Sequence, residues 1–289
     1  MKKNNKFTST ERKKQIKTES WIKYEDSIVI FLDILGFKSL IDASYSEKNK
    51  KTNNKVIANL YDGIQTIRSI LKIDEPENHG SKYFIVNFSD SIVISFPYNK
   101  PDALFNTLFQ IQGLLINLTH RGIIVRGGIT RGPIYTDKES QIIFGPGLVD
   151  AYLLESKAAH YPRVILDREI VEICKRFTKD YDEDEIEDYL KDILMPDTDE
   201  MFFIDYFKPL DGQFYNINYD YSKQLSETRI IISNGLKKRS PDVKIKYLWM
   251  KKKYNGILKK IQSQNYLNSL KELDKQDLAD GIKNLKPIS

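Results

Sequence analysis

The chain has 289 residues, a formal net charge of +5 and one cysteine, with 40% hydrophobic and 11% aromatic residues. This composition is typical of a globular protein with a buried core, and no apolar run approaches the roughly 18 residues that a membrane-spanning helix needs. A single cysteine, Cys174, excludes an internal disulfide framework and is expected to be a buried, inert thiol. The polar N-terminal segment lacks the apolar stretch of a secretory signal, so we expect a cytoplasmic protein without membrane insertion.

The net positive charge gives little support for a nucleic-acid partner, because the charged residues are unevenly distributed along the chain. Basic residues gather in the N-terminal tail and in residues 237–239 and 251–253, whereas residues 180–200 are strongly acidic. Such runs are typical of solvated faces or disordered tails. Residues 247–254 interleave aromatic and basic side chains, but their apolar members have helical spacing and favour a helix core. We therefore expect no nucleic-acid partner.

The spacing of apolar residues predicts an α+β fold with a mostly antiparallel sheet over residues 21–170, after a disordered basic tail over residues 1–20. The first predicted elements are a strand over 27–32 that ends at Asp33, helices over 36–44 and 54–71, and a hairpin over 83–96 with Asp90 at its tip. A helix over 101–117 and a strand over 121–130 follow, and a turn at Gly132-Pro133 leads into a strand over 133–136. The last predicted elements are a strand over 141–144, a helix over 147–159 and a strand over 163–166.

The remaining residues, 171–289, are predicted to form a mostly helical C-terminal extension. This extension begins with an acidic helical stretch and contains a strand-like segment over 201–207. Two helices are predicted over 221–236 and 243–261, and residues 263–289 are predicted to be a weak helix or a tail.

Two carboxylates stand at places where apolar strands end. Asp33 closes the first strand, and Asp90 lies at the tip of the hairpin. Two such carboxylates brought together by neighbouring strands repel each other unless a cation lies between them, and oxygen ligands suit Mg²⁺ or Mn²⁺. From spacing alone, two other readings stay equally open: Asp33 as a helix N-cap and Asp90 as an ordinary turn residue.

A glycine follows the first carboxylate, at the junction of strand and helix. Gly36 lets the backbone approach a ligand closely, and the helix that follows offers free N–H groups to a phosphate. Lys38, in the first helical turn, adds a positive charge. The alternative is that Gly36 only relieves crowding.

Four segments together resemble the class III nucleotide cyclases. FLDILGFKSL (residues 31–40) resembles the first metal motif of that family and FSDS (88–91) the second, while RGGITRGPIY (126–135) and FGPGLVDAYLLES (144–156) resemble the strand and helix that follow. The resemblance covers about residues 26–170 and implies a ferredoxin-like cyclase fold, a nucleoside triphosphate substrate and a head-to-tail homodimer with sites at the subunit interface.

The resemblance also implies roles for individual residues. Asp33 and Asp90 would bridge two divalent cations, Mn²⁺ or Mg²⁺, and the backbone carbonyl of Ile34 would ligate one of them. Gly36, Phe37 and Lys38 would lie along the triphosphate.

The sequence departs from the purine cyclases at their base-reading and transition-state positions. The base-reading lysine and aspartate fall on Val86 and Ile142, and the transition-state asparagine and arginine fall on Val149 and Leu153. A site that lacks both polar base readers argues against ordinary ATP or GTP recognition. The candidates for a relocated transition-state cation are Arg126, Arg131 and Lys157.

Within the family, the chain is most similar to the bacterial Pycsar pyrimidine cyclases. The shared segments are FLDxxGF, RGGIxxG, the stretch from Gly145 to Asp167 and a KYLWM-like segment in the extension. The resemblance implies cyclisation of UTP, or as the second choice CTP, to a second messenger that activates a separate antiphage effector. Tyr24 is a candidate for excluding a purine, although core packing is the more ordinary role. The alternative function is a degenerate cyclase fold that binds a nucleotide or a partner without turnover.

Overall fold

The computed structural model describes residues 23–71, 83–180, 190, 193–208 and 221–289. Within these residues the strands are β1 (Glu25–Leu35), β2 (Tyr45–Ser46), β3 (Lys51–Thr52), β4 (Phe84–Phe88), β5 (Ser91–Pro97), β6 (Ile124–Asp137), β7 (Ile142–Phe144), β8 (Val164–Leu166), β9 (Leu194–Pro196) and β10 (Phe202–Ile204). The helices are α1 (Phe37–Ser44), α2 (Asn54–Ile70), α3 (Pro101–His120), α4 (Pro146–Leu153) followed by a π-helical turn (Leu154–Ala158), α5 (Arg168–Asp180), α6 (Tyr221–Leu236), α7 (Pro241–Ile261), α8 (Gln264–Glu272) and α9 (Gln276–Asn284). The predicted disordered tail, residues 1–20, lies outside the described residues.

One large sheet organises the fold, with its strands in the order β4-β5-β1-β6-β8-β10-β9 and with β7 paired to β6. Strand β1 lies between β5 and β6 and is apolar on both faces, as a central strand must be. Among the described strands of this sheet, only β6 and β8 pair in parallel. The predicted α+β class with a mostly antiparallel sheet is confirmed.

The two faces of the sheet are covered unequally. One face packs against the main hydrophobic core, which includes Ile28, Ile30 and Leu32 from β1 together with α3 and the helices of the extension. The other face carries a smaller cluster around Val29 and Val93, packed beneath α4. Because successive side chains of a strand alternate between faces, Asp33 lies on the side covered by α4.

Two predicted boundaries in the sheet are wrong. Strand β1 runs two residues beyond Asp33 to Leu35, since Ile34 and Leu35 continue the pairing with β6. No turn interrupts β6 at Gly132-Pro133. Proline is tolerated there because Pro133 lies between the stretch that pairs with β8 and the stretch that pairs with β7.

The extension is mostly helical, as predicted, and it shares the sheet and the core with the residues before it. Strands β9 and β10 extend the large sheet beyond β8, and β10 confirms the strand-like character of residues 201–207. Buried side chains of α6 and α7, such as Leu225 and Tyr254, belong to the main core. The division into a catalytic domain and an extension at residue 170 stays a prediction, and no gap in packing marks it.

The C-terminal segment is more ordered than predicted. Residues 263–289 form the helices α8 and α9, whose apolar side chains Leu267 and Ile282 are buried in the main core. The tail reading of this segment is therefore wrong. None of the helices in the described part of the chain is both long and apolar enough to cross a bilayer.

Candidate active site

The structure brings the two candidate metal ligands to the same end of the sheet. Asp33 on β1 stands opposite Ser91, the first residue of β5, and Asp90 precedes Ser91 in the tight turn between β4 and β5. The backbone N–H of Ile34 donates a hydrogen bond of 3.0 Å to the carbonyl oxygen of Asp90. Pairing of β1 with the hairpin therefore fixes the two aspartates side by side.

The environment of Asp33 holds opposing charges. Burial raises the pKa of the Asp33 carboxyl, Arg126 lowers it and the neighbouring Asp90 raises it, with a net shift upward. The cross-strand partner of Asp33 on β6 is Arg126, whose Nε lies 3.5 Å from Oδ2 of Asp33. Two carboxylates placed side by side repel each other and attract a cation between them.

The structure separates the alternatives left open for these aspartates. The N-cap of α1 is Gly36, with φ of 76° and no side-chain cap hydrogen bond, so the N-cap reading of Asp33 is wrong. Asp90 does lie in a turn, where Ser89 adopts a positive φ of 57°. A turn position is compatible with a metal-binding role for Asp90.

Sequence reasoning missed a third carboxylate. Glu155 lies in the π-helical turn after α4, its side chain is 2% exposed, and it forms an ion pair with Nε of Arg126. Burial raises its pKa to about 7 against the lowering effect of Arg126. Arg126 thus stands between Asp33 and Glu155, which makes it a shared counter-ion rather than a freely mobile group.

Close packing brings Glu155 to the sheet. A Cβ on Gly128 would meet the backbone oxygen of Ala151 at 2.8 Å and the backbone nitrogen of Glu155 at 3.0 Å. Only glycine permits this approach of the helix to β6. The local signal in the sequence was the spacing of Glu155 four residues after the small residue Ala151, which places both on one helical face.

The segment after Asp33 has the geometry expected of a phosphate-binding turn. Gly36 is in the left-handed region, and a Cβ there would meet nothing within 4 Å, so the crowding explanation for this glycine is wrong. Helix α1 begins at Phe37, directly after this glycine, and the first amides of a helix have no partner within the helix. Lys38 is exposed beside it, and Phe37 is partly buried against the main core.

The carbonyl of Ile34 faces the hairpin tip. In an extended strand the N–H and C=O of one residue point to the same side, and the N–H of Ile34 bonds to Asp90. Its carbonyl oxygen is therefore directed toward the turn that carries Asp90, as a shared cation would require.

Arg131 and Tyr24 are not brought to the aspartates, and Lys157 is exposed to solvent. Arg131 lies five residues from Arg126 on β6, hence on the opposite face of the sheet, where it is bound by Asp26 and Glu169 and lies over the ring of Tyr98. Lys157 is exposed on the π-helical turn. Tyr24 precedes β1 at the end remote from Asp33, exposed and in edge contact with Phe144, so the core-packing explanation for Tyr24 is wrong.

The oxygen atoms at this end of the sheet fit a divalent cation of the magnesium or manganese type. No group of three or more His, Cys, Asp or Glu side chains with metal-site geometry occurs in the described ranges. Magnesium needs no such group, because it is commonly held by one or two carboxylates together with substrate phosphates. Asp33, Asp90 and the Ile34 carbonyl are the protein ligands that this geometry offers.

An apolar groove lies on the same face of the sheet, beside α4. It has a volume of about 480 Å³ and is lined by Phe31, Phe88, Val93, Gln141, Ile142, Ile143, Leu148, Val149 and Tyr152. Ile142 and Val149 stand at positions where the sequence departs from the purine cyclases, and both are exposed. Leu153 is also exposed, whereas Val86 is buried beneath the groove.

No protein-family model and no curated protein matches the sequence. Solved structures of similar shape include the adenylyl cyclase CyaB from P. aeruginosa, at 12% identity and a TM-score of 0.41 over 63% of this chain and 94% of that chain. They also include the guanylyl cyclase Cya2, at 13% identity and a TM-score of 0.41 over 68% and 98%, and a bacterial light-regulated adenylyl cyclase, at 14% and 0.42 over 79% and 70%.

Proposed function

We propose that this chain is a divalent-cation-dependent nucleotide cyclase. The observation that carries the proposal is the juxtaposition of Asp33 and Asp90 beside the left-handed Gly36 and the N-terminus of α1. A pure binding module has no need of two carboxylates placed side by side at the end of a sheet. The reaction would be attack of the ribose 3′-hydroxyl oxygen on the α-phosphorus, with pyrophosphate as the leaving group.

Each residue at the site has a defined part in this reaction. Bound divalent cations would neutralise the triphosphate and promote deprotonation of the 3′-hydroxyl. Asp33, Asp90 and the Ile34 carbonyl would hold them, and the free amides at the start of α1 would receive phosphate oxygens. Arg126, fixed between Asp33 and Glu155, would limit the repulsion between these two carboxylates. Catalysis would therefore come mostly from positioning and charge neutralisation.

A pyrimidine substrate is proposed because the base-reading positions are apolar. Val86 is buried and Ile142 faces the groove, so neither offers the hydrogen bonds that select a purine. UTP is the first choice and CTP the second, on the resemblance to the Pycsar enzymes. The same resemblance supports a cytoplasmic role in which the cyclic nucleotide activates a separate antiphage effector.

A homodimer is proposed because the groove beside α4 is exposed and apolar. Phe88, Val149 and Tyr152 are exposed there, and contiguous apolar surface of this kind marks an interface. A second copy is the occupant that the cyclase resemblance implies. We expect sedimentation velocity to give a dimer for the wild type and a monomer for Val149→Arg, with Lys157→Ala, an exposed change close by, remaining dimeric. A monomeric wild type at concentrations that support turnover would contradict the homodimer.

The function is tested by incubating the purified protein with Mn²⁺ and each of the four ribonucleoside triphosphates, with the products resolved by mass spectrometry. We expect a cyclic pyrimidine monophosphate and one equivalent of pyrophosphate. A cyclic purine product would support the proposed reaction but contradict the proposed preference for a pyrimidine triphosphate. Binding of a triphosphate without any cyclic product would favour the degenerate module. The apolar Val149 and Leu153 at the family's transition-state positions would then explain the missing turnover.

A further inference from the structure

A lysine of the extension lies within electrostatic range of the candidate active site. Helix α7 carries Lys246, which interacts electrostatically with Asp33, Glu155 and Arg126. These three groups come from β1, the π-helical turn and β6, all before residue 170. The fourth comes from a helix that begins more than 70 residues later, in the extension.

Helix α7 is fixed where Lys246 lies. The indole N–H of Trp249 donates a hydrogen bond of 2.7 Å to Oδ2 of Asp197, and the ring of Trp249 stacks on Tyr161 with a centroid distance of 5.8 Å and an interplanar angle of 6°. Tyr161 follows the π-helical turn that holds Glu155 by only a few residues. Lys246 is three residues before Trp249 and so shares its helical face, one turn nearer the start of α7.

Lys246 differs from Lys253, the next inward-facing lysine of its helix, because it has no direct hydrogen-bond or ion-pair partner among the described residues. Lys253 is bound to Asp197 at 2.8 Å, whereas the Lys246 ammonium makes no hydrogen bond or close ion pair with any residue in the described part of the chain. Burial lowers its pKa, Arg126 lowers it further, and Asp242, Asp33 and Glu155 raise it. A half-buried ammonium group without a direct partner gains by binding an anion.

We propose that the ammonium group of Lys246 binds the phosphate chain of the nucleotide substrate, an inference that rests on the proposed function. Arg126 is already bound by Glu155 and Asp33, which leaves Lys246 as a cation of this cluster that can turn toward a ligand. A polyphosphate held at Asp33 through a divalent cation lies within the same charge cluster. The extension is then part of the substrate site, and its helix α7 supplies a substrate-binding residue.

The test compares Lys246→Met, Lys246→Arg and a matched control, Lys252→Met, which changes an exposed lysine of the same helix. Calorimetry would measure the affinity of each protein for pyrophosphate in the presence of Mn²⁺, independently of turnover. We expect Lys246→Met to weaken this affinity by about tenfold or more, the effect of losing one hydrogen bond to a charged group. Lys246→Arg should restore most of it, and Lys252→Met should leave it unchanged.

Steady-state kinetics separate this role from a structural one. Loss of a phosphate contact should raise KM for the triphosphate with a smaller change in kcat, at an unchanged melting temperature. If the wild type is active and Lys246→Met changes neither KM nor the affinity for pyrophosphate, the inference about Lys246 is overturned and the proposed function stands. Pyrophosphate binding that depends on Lys246, without any cyclic product, would overturn the proposed function alone. A wild type that neither binds pyrophosphate nor forms any cyclic product would contradict both.

Discussion

Replacing Asp33 by asparagine is expected to reduce the rate of cyclic nucleotide formation by about 10³-fold or more, because a lost cation ligand removes several kcal/mol of transition-state charge stabilisation. Asp90→Asn should have an effect of the same order. The double variant should be little worse than either single variant, since the two carboxylates act on the same cations. The measurement is pyrophosphate release with Mn²⁺ and the preferred triphosphate.

The asparagine substitution is chosen because it should not unfold the protein. Burial raises the pKa of Asp33 in the folded chain, so the ionised carboxylate is less favourable there than in the unfolded chain. Removing its charge should therefore leave the melting temperature unchanged or raise it slightly. Residues kept for activity often lower the stability of a protein in this way. Arg126 loses its contact with Asp33 at 3.5 Å but keeps its ion pair with Glu155, so its charge is not left without a partner.

A matched control is Asp62→Asn, which removes the charge of an exposed aspartate on α2. It should keep full activity and full stability. Turnover retained by either Asp33→Asn or Asp90→Asn, in protein with unchanged circular dichroism, would refute the metal assignment and leave a binding role for the fold.

The positions of Asp33 and Asp90 could be predicted from the sequence because local pattern determines them. A run of β-branched and apolar residues that ends in a carboxylate predicts a buried strand and its end, and two apolar halves around Ser89-Asp90 predict a hairpin and its tip. Gly36 is likewise a local signal. The remaining error was the length of β1, because Ile34 and Leu35 continue its apolar run and pair with β6 beyond the carboxylate.

The partners of Asp33 are harder to predict, because they depend on strand register and tertiary packing and leave only weak local signals in the sequence. The pairing of Asp33 with Arg126 depends on strand register, and Glu155 reaches Arg126 only through a π-helical turn that the apolar spacing does not reveal. The apolar periodicity of residues 243–261 predicts a buried helix but does not single out Lys246. A lysine three residues before a buried tryptophan on the same helical face was the available signal.

The extension is held to the sheet by a buried charge network. The carboxylate of Asp197 accepts hydrogen bonds from Arg163, from Trp249 at 2.7 Å and from Lys253 at 2.8 Å. Arg163, just before β8, has no exposed side-chain surface and also pairs with Asp199. Burial alone would raise the pKa of Asp197, but the hydrogen bonds from Lys253 and Trp249 outweigh it and lower the pKa to about 2.

Replacing Asp197 by alanine is expected to lower the free energy of unfolding by about 3–5 kcal/mol, because it leaves buried Arg163 with the partly exposed Asp199 as its remaining carboxylate. Urea denaturation followed by circular dichroism would measure the loss. The matched control is Glu172→Ala, which breaks an exposed ion pair of 3.1 Å with Lys175 on α5 and should change stability by less than about 0.5 kcal/mol.

The same variant tests whether the extension and the sheet form one cooperative unit. If α7 and the sheet unfold together, Asp197→Ala should shift a single transition, because the network joins β8 to that helix. A second transition that appears only in the variant would mean that the extension unfolds first, and Lys246 would then leave the site before Asp33 and Asp90 do. An unchanged midpoint would show that apolar packing of Trp249 and Tyr254 alone holds α7 in place.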